Sequence, residues 1–224
     1  MVQVAVARLP STTPTEQRIK ARARWTASLL YLTGLRISEL AQNTMGSFFA
    51  ERDPSGQVRW WLEVTGKGNK TRLVPAPDVL MDELGRYRES LGFGARPAQG
   101  ESTPLVLALS FTEDGAKDPR PLTRAALHNL IKSIFEEAAA ALEDQGEPAD
   151  AVQHLKRASA HWLRHTAASR MAERMPLSEV SENLGHASLA TTSIYVHAQK
   201  RSRHDSTSEH HGLSWDPEAL TDLA

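Results

Sequence analysis

One stretch of this chain alternates with a period of two, while the segments around it repeat as helices do. Val58, Trp60, Leu62 and Val64 alternate with Arg59, Trp61, Glu63 and Thr65, the pattern of a half-buried strand. Arg72-Leu73-Val74 before Pro75 reads as its partner. Between them, Gly66-Lys67-Gly68-Asn69-Lys70 is a turn, because two glycines and an asparagine supply unusual backbone angles. It is not a Walker loop: no glycine stands five places before Gly66, and Gly68 follows the lysine where Ser or Thr is required. The pattern predicts a mainly helical α+β domain with a small antiparallel β-sheet near residues 58–75.

Residues 1–12 show no periodicity and read as a disordered leader. Thr13-Pro14-Thr15-Glu16 opens a helix with a capping box and a proline at its first position. Its stripe is Trp25, Leu29 and Leu32, and Gly34 stops it. In the segment that follows, Ile37, Leu40 and Ala41 share a buried face, which leaves Arg36 and Glu39 three apart and able to pair. Leu80, Leu84, Tyr87 and Leu91 mark another helix after Pro77, and residues 92–104 read as a mobile loop. Leu105–Leu109 is a short buried run of ambiguous type. Leu127, Leu130, Ile131, Ile134, Phe135 and Ala138 give the strongest helix signal, followed by an acidic connection over 143–150. Ser159 is a candidate cap for the next helix, whose core face is expected at Ala160, Leu163, Ala167 and Met171. His161, Arg164 and His165 stand on its neighbouring face and are expected to project together. A helix from near Pro176 is stopped by Gly185, which places His186 on a turn. The final helix holds Thr191 and Thr192 and is weak alone. Its stripe is Ala190, Ile194 and Ala198, and Tyr195 lies about 100° from Ile194, free to point elsewhere.

Composition narrows the classes. With 224 residues, 40% of them hydrophobic, the chain holds one domain of ordinary size. No apolar run is long enough for a transmembrane helix, and the start lacks the features of a signal peptide. Zero cysteines exclude a disulfide framework, thiol catalysis and thiolate zinc sites, and they point to the cytoplasm. A net charge of −1 by itself argues against a nucleic-acid partner, but the distribution is uneven. Residues 151–204 hold eight basic and three acidic side chains, whereas residues 101–150 hold ten acids and four bases. Basic charge therefore gathers near Tyr195.

Arg36, Lys67, His161, Arg164, His186 and Tyr195 are the polar residues on these segments that can act together. Two arginines are planar, permanently charged forks suited to the non-bridging oxygens of a phosphodiester. A tyrosine is a poor nucleophile until arginines and a base favour its phenolate. His161 can take or share that proton, and Lys67 can donate one to a departing oxygen. No metal or other cofactor is required, since the arginines and histidines replace the cation. His161 and His165 lack the glutamate of a zinc helix, because Trp162 follows His161. Taken singly, Arg36 can equally be a partner for Glu39, and Lys67 a solvated turn residue.

Four blocks, Thr33-Gly34-Leu35-Arg36-Ile37-Ser38-Glu39-Leu40, Gly66-Lys67-Gly68-Asn69-Lys70, His161-Trp162-Leu163-Arg164-His165-Thr166-Ala167-Ala168 and Leu184-Gly185-His186…Tyr195, closely resemble the catalytic domain of tyrosine recombinases (phage integrase family). The resemblance runs from roughly residue 15 to 200 and implies a recombinase catalytic domain over 13–204. It implies that Arg36 and Arg164 activate the phosphate and that Lys67 is the general acid. His161 and His186 would assist proton transfer and hold the phosphate while Tyr195 attacks. Glu39 and His165 would support them from behind. The implied product is a 3′-phosphotyrosyl link with a free 5′-hydroxyl, formed without ATP or metal. The implied partner is double-stranded DNA, bound as a homotetramer on paired sites, with a monomer in its absence and no membrane. Alternatives are a type IB topoisomerase-like activity and a non-catalytic DNA-binding or regulatory relative. The weak last helix is expected to be mobile without DNA, leaving Tyr195 unseated. The acidic tail, residues 205–224, is either flexible or docks on a neighbouring protomer through Leu213, Trp215 and Leu220.

Family members usually carry an N-terminal helical domain that closes a clamp around DNA, so the chain is expected to be an excised catalytic domain or a reduced relative. The near-neutral charge fits the former. Binding of this chain to duplex DNA should therefore be weak and fall steeply with salt. A fluorescence-anisotropy titration showing low-nanomolar, sequence-specific affinity at physiological salt would contradict that.

Overall fold

A computed structural model describes residues 1–109 and 120–185 of the chain. The helices within them are α1 (Val2–Arg8), α2 (Pro14–Thr33), α3 (Ile37–Gln42), α4 (Asp78–Ser90), α5 (Arg124–Asp144), α6 (Ala149–Lys156), α7 (Ala160–Ala172) and α8 (Leu177–Leu184). The strands β1 (Phe48–Arg52), β2 (Val58–Thr65) and β3 (Thr71–Ala76) form an antiparallel sheet in the order β1-β2-β3. The expected α+β architecture is present.

The long helix α2 organises the core, packing against α4 and α7. Its capping box forms as read: Glu16 N–H donates to Thr13 Oγ1 at 3.2 Å, and Thr13 N–H donates to Glu16 Oε2 at 2.9 Å. Trp25 is fully buried, stacks on Tyr87 at 6.1 Å and meets Phe48 at 6.4 Å. Its indole N–H donates to Leu105 O at 2.7 Å, and Leu107 N–H donates to Tyr87 Oη at 3.0 Å. These bonds resolve the ambiguous run after Pro104. It is an irregular tether held by side chains, by backbone bonds such as Leu122 N–H to Val106 O at 3.1 Å, and by isolated bridges of Pro104 to Thr44 and Leu107 to Pro121. Burial pushes the Tyr87 phenol up to about 12, so this tyrosine serves packing.

The sheet turns Phe48, Leu62, Val64, Val74 and Ala76 inward. The β2–β3 turn closes with Gly66 N–H donating to Lys70 O at 2.9 Å, and Gly68 and Asn69 take positive φ. Strand β1 carries no clean alternation of its own and exists through pairing with β2.

Three segments differ from the sequence reading. Residues 2–8 are not a disordered leader but helix α1, with Ala5 and Val6 buried and Arg8 bonding Glu137 at 2.9 Å and Asp144 at 2.5 Å. Order there comes from packing on α5, which no local pattern displays. The acidic connection over 143–150 is shorter than read, because α6 begins at Ala149 and lies against α5. The irregular stretch over 92–104 is anchored by Glu101, which accepts from Arg88 at 2.7 Å. Among the described residues no helix is long and apolar enough to cross a membrane. The tail over 205–224 lies outside the described residues.

Two left-handed glycines set the chain's direction near the later site, Gly34 after α2 (φ 65) and Gly185 after α8 (φ 62). A Cβ at Gly34 would lie 2.5 Å from Leu184 Cδ2. Gly34→Ala should destabilise the fold by about 1–2 kcal/mol from backbone strain alone, with the clash in addition. Urea unfolding should show the lowered midpoint, and an unchanged midpoint would refute this packing.

Candidate active site

Leaving Gly34, the chain buries Leu35 and turns into α3 with Arg36 as its N-cap residue. Arg36 N–H donates to Glu39 Oε2 at 2.9 Å, and Arg36 Nη1 donates to Glu39 Oε1 at 3.0 Å. The pairing read from their spacing is therefore present. It is only half of what Glu39 does. Arg72, from β3, donates from Nη1 and Nη2 to Oε1 and Oε2, both at 2.9 Å. Glu39 is 2% exposed. Burial alone pushes its carboxyl up, but the bonds from Arg72 and the Arg36 amide and the two positive charges hold it below the usual carboxylate range.

The same arginines reach the C-terminal end of α8. Arg72 Nε donates to Asn183 O at 2.9 Å, Arg164 Nη2 to Leu184 O at 2.7 Å, and Arg36 Nη1 to that same oxygen at 3.4 Å. Arg36 Nη2 reaches Gly185 O at 3.4 Å, and Arg164 Nη1 donates to Gly34 O. A helix C-terminus presents unsatisfied carbonyls and negative partial charge, so it draws cations. Here it draws three. Arg36 and Arg164, far apart in sequence, thus share one oxygen beside the residue that precedes His186.

The two arginines differ in access. The Arg164 side chain is buried, whereas that of Arg36 is 40% exposed and its bonds to α8 are long. An incoming anion can therefore replace the long bonds of Arg36 to α8 while Nη1 stays on Glu39 at 3.0 Å. A cleft of about 1590 Å³ opens between α3, the β2–β3 turn and α8, lined by Arg36, Ser38, Gly66, Arg72 and Gly185 among others.

On α7 the three polar groups do not project together as expected. His161 and His165 pair on the outer side, Nε2 to Nε2 at 2.7 Å, while Arg164 turns inward under α8. The reason is the strong acceptor pair at Gly34 and Leu184, which the long arginine side chain can reach. Burial, then the charges of His161 and Arg164, keep His165 below its ordinary value, so one imidazole can donate to the other at neutral pH. Lys67 opens the 3₁₀ turn Lys67–Asn69 between β2 and β3. His186 and Tyr195, with the weak helix around Tyr195, lie outside the described residues. Among the described residues no group of three or more His, Asp or Glu can hold a metal ion.

Arg72 is the participant that sequence reading passes over as a strand residue. The available signal is its place in the alternation: it shares a face with Val74 and Ala76, and an arginine on a core-facing side needs buried partners.

Known proteins resemble most of this chain. The Phage integrase family model matches residues 3–202. Tyrosine recombinase XerD of Staphylococcus saprophyticus is 31% identical over 180 residues, covering 80% of this chain and 51% of the relative. The XerD of Staphylococcus haemolyticus gives the same identity and coverage. The chain thus spans about half the length of the curated relatives it matches. In fold it is similar to the XerH site-specific recombinase in a post-cleavage complex with difH substrate, at TM-score 0.58 and 23% identity, covering 92% of this chain and 50% of that one. It is likewise similar to the Tn1549 transposon integrase in complex with transposon right end DNA, at TM-score 0.58 and 18% identity, covering 94% and 64%.

Glu39 gives a pH test. Its carboxyl is lowered on folding from 4.5, so its stabilisation is complete above that value and is lost as pH falls through the lower folded one. Glu39→Gln should cost about 3–5 kcal/mol at pH 7 by leaving Arg72 without its counter-charge. The gap between the two proteins should narrow on acidification below pH 4.5. Denaturant titrations at pH 7 and pH 4 measure it, and a gap that widens in acid would refute the assignment.

Proposed function

This chain belongs to the phage integrase family of tyrosine recombinases, and from that premise we propose that it cleaves and rejoins DNA strands through Tyr195 as a site-specific recombinase. The observation that carries the proposal is the meeting of Arg36 and Arg164 on Leu184 O, at the end of the helix that leads to His186. Two guanidinium groups on one oxygen form a cradle for the scissile phosphate, and its negative charge binds them more strongly than a neutral carbonyl does. As the pentavalent transition state gathers charge on the equatorial oxygens, the preorganised arginines stabilise it.

In this mechanism Tyr195 Oη attacks phosphorus while its proton passes to His161. The bond to the 5′ oxygen breaks, and Lys67 protonates that oxygen. One end of the cut strand is left as a 3′-phosphotyrosyl ester, the other as a free 5′-hydroxyl. Attack by a 5′-hydroxyl from a second DNA end reverses the step and frees Tyr195, so bond energy is conserved and ATP is not needed. His186 holds the phosphate. Glu39 fixes Arg36, and His165 orients His161. The relatives named above support DNA as the partner. We further propose a tetramer on paired sites, a monomer without DNA, and action in the cytoplasm, with which the absence of cysteine agrees.

A nicked suicide substrate tests this directly. The protein should form a covalent complex that Tyr195→Phe abolishes, and Arg36→Ala or Arg164→Ala should slow it by about 100-fold or more. Absence of an adduct would sink the proposal. Joining of two separate sites distinguishes recombination from relaxation of supercoils.

A further inference from the structure

We propose that Arg72 is a positioning residue that locks three segments together and sets the charge and angle of Arg36. This rests on the recombinase assignment above. All three guanidinium nitrogens of Arg72 are used: two grip the Glu39 carboxylate at 2.9 Å, and Nε holds Asn183 O at 2.9 Å. The side chain is 14% exposed, so water does not substitute for these bonds. Its surroundings are two glycines. A Cβ at Gly185 would lie 2.9 Å from Arg72 Nη1 and 3.0 Å from its Cζ, and a Cβ at Gly66 would lie 3.1 Å from Glu39 Oε1. Gly66 precedes Lys67 and Gly185 precedes His186. One planar group therefore sits where α3, the β2–β3 turn and the end of α8 converge.

The electrostatic consequence concerns Arg36. Glu39 alone would neutralise Arg36 and draw it inward. With Arg72 sharing the carboxylate, one positive charge is left over, and the exposed partner, Arg36, presents it to the cleft. A lysine at 72 keeps the charge but is a point donor that cannot grip both oxygens and Asn183 O at once. Arg72 moves no proton, so it should alter how fast the adduct forms without altering which groups titrate.

The test uses the full chain, a nicked duplex carrying its recombination site, and single-turnover adduct formation at saturating DNA. Arg72→Lys should slow the adduct step roughly 10- to 100-fold, keep DNA affinity within threefold, and leave the shape of the pH–rate profile unchanged. Glu39→Asp, whose shorter carboxylate cannot span both arginines, should slow it comparably, and it serves alone if Arg72→Lys does not fold. The double variant should be no slower than the slower single by more than threefold, because both changes break one linkage. Wild-type rates in a folded Arg72→Lys or Glu39→Asp, a displaced pH profile, or multiplicative losses would overturn the role of Arg72. No adduct from the wild-type protein would overturn the recombinase assignment itself, and this inference with it.

Discussion

Burying a carboxylate is costly unless donors replace the water it loses. Glu39 meets that condition with four N–H groups, two from Arg36 and two from Arg72. Much else follows from this one group. It fixes the first turn of α3, it ties β3 to that turn, and through Arg72 it reaches the last residues of α8. Remove the negative charge and two arginines face each other without a counter-ion. Remove either arginine and the carboxylate is under-satisfied. The arrangement is strong because its parts need one another, which is also why single substitutions in it should be felt at a distance.

The second constraint is the end of α8. A helix of eight residues has little stability of its own, and only Val180, Ser181, Asn183 and Leu184 of this one are buried. It is held at its C-terminus by three arginines bonded to its free carbonyls, and a small cluster with Ala168 and Ala172 holds its side. The arginines proposed to bind the phosphate are therefore also part of the structural clamp. That economy favours exchange: an anion entering the cleft competes with two carbonyls 3.4 Å from Arg36, while Glu39 keeps its hold on Arg36 at 3.0 Å and Arg164 and Arg72 keep the helix in place.

Legibility from sequence follows the range of the forces. The capping box at Thr13, the stop at Gly34, the turn after Thr65 and the stop at Gly185 are local, so a few neighbouring residues determine each. The core face of α5 and the alternation of β2 are periodic and equally readable. Helix α1, strand β1 and helix α6 owe their order to partners elsewhere in the fold, and nothing within Val2–Arg8 announces α5. At the site, residue types at family spacing picked out Arg36 and Arg164, but not the inward turn of Arg164 or the grip of Arg72. Both depend on carbonyls contributed by α8, a segment more than a hundred residues from β3.

The bond from Arg36 to Leu184 O spans 148 positions of the chain. A cradle assembled from such distant pieces does not exist in any fragment of the molecule. While the chain is emerging or partly unfolded, Arg36 and the end of α8 are separated by disordered polymer, and closing loops of that length comes late in folding. On the proposed function, competence to cleave DNA arrives only with completion of the domain.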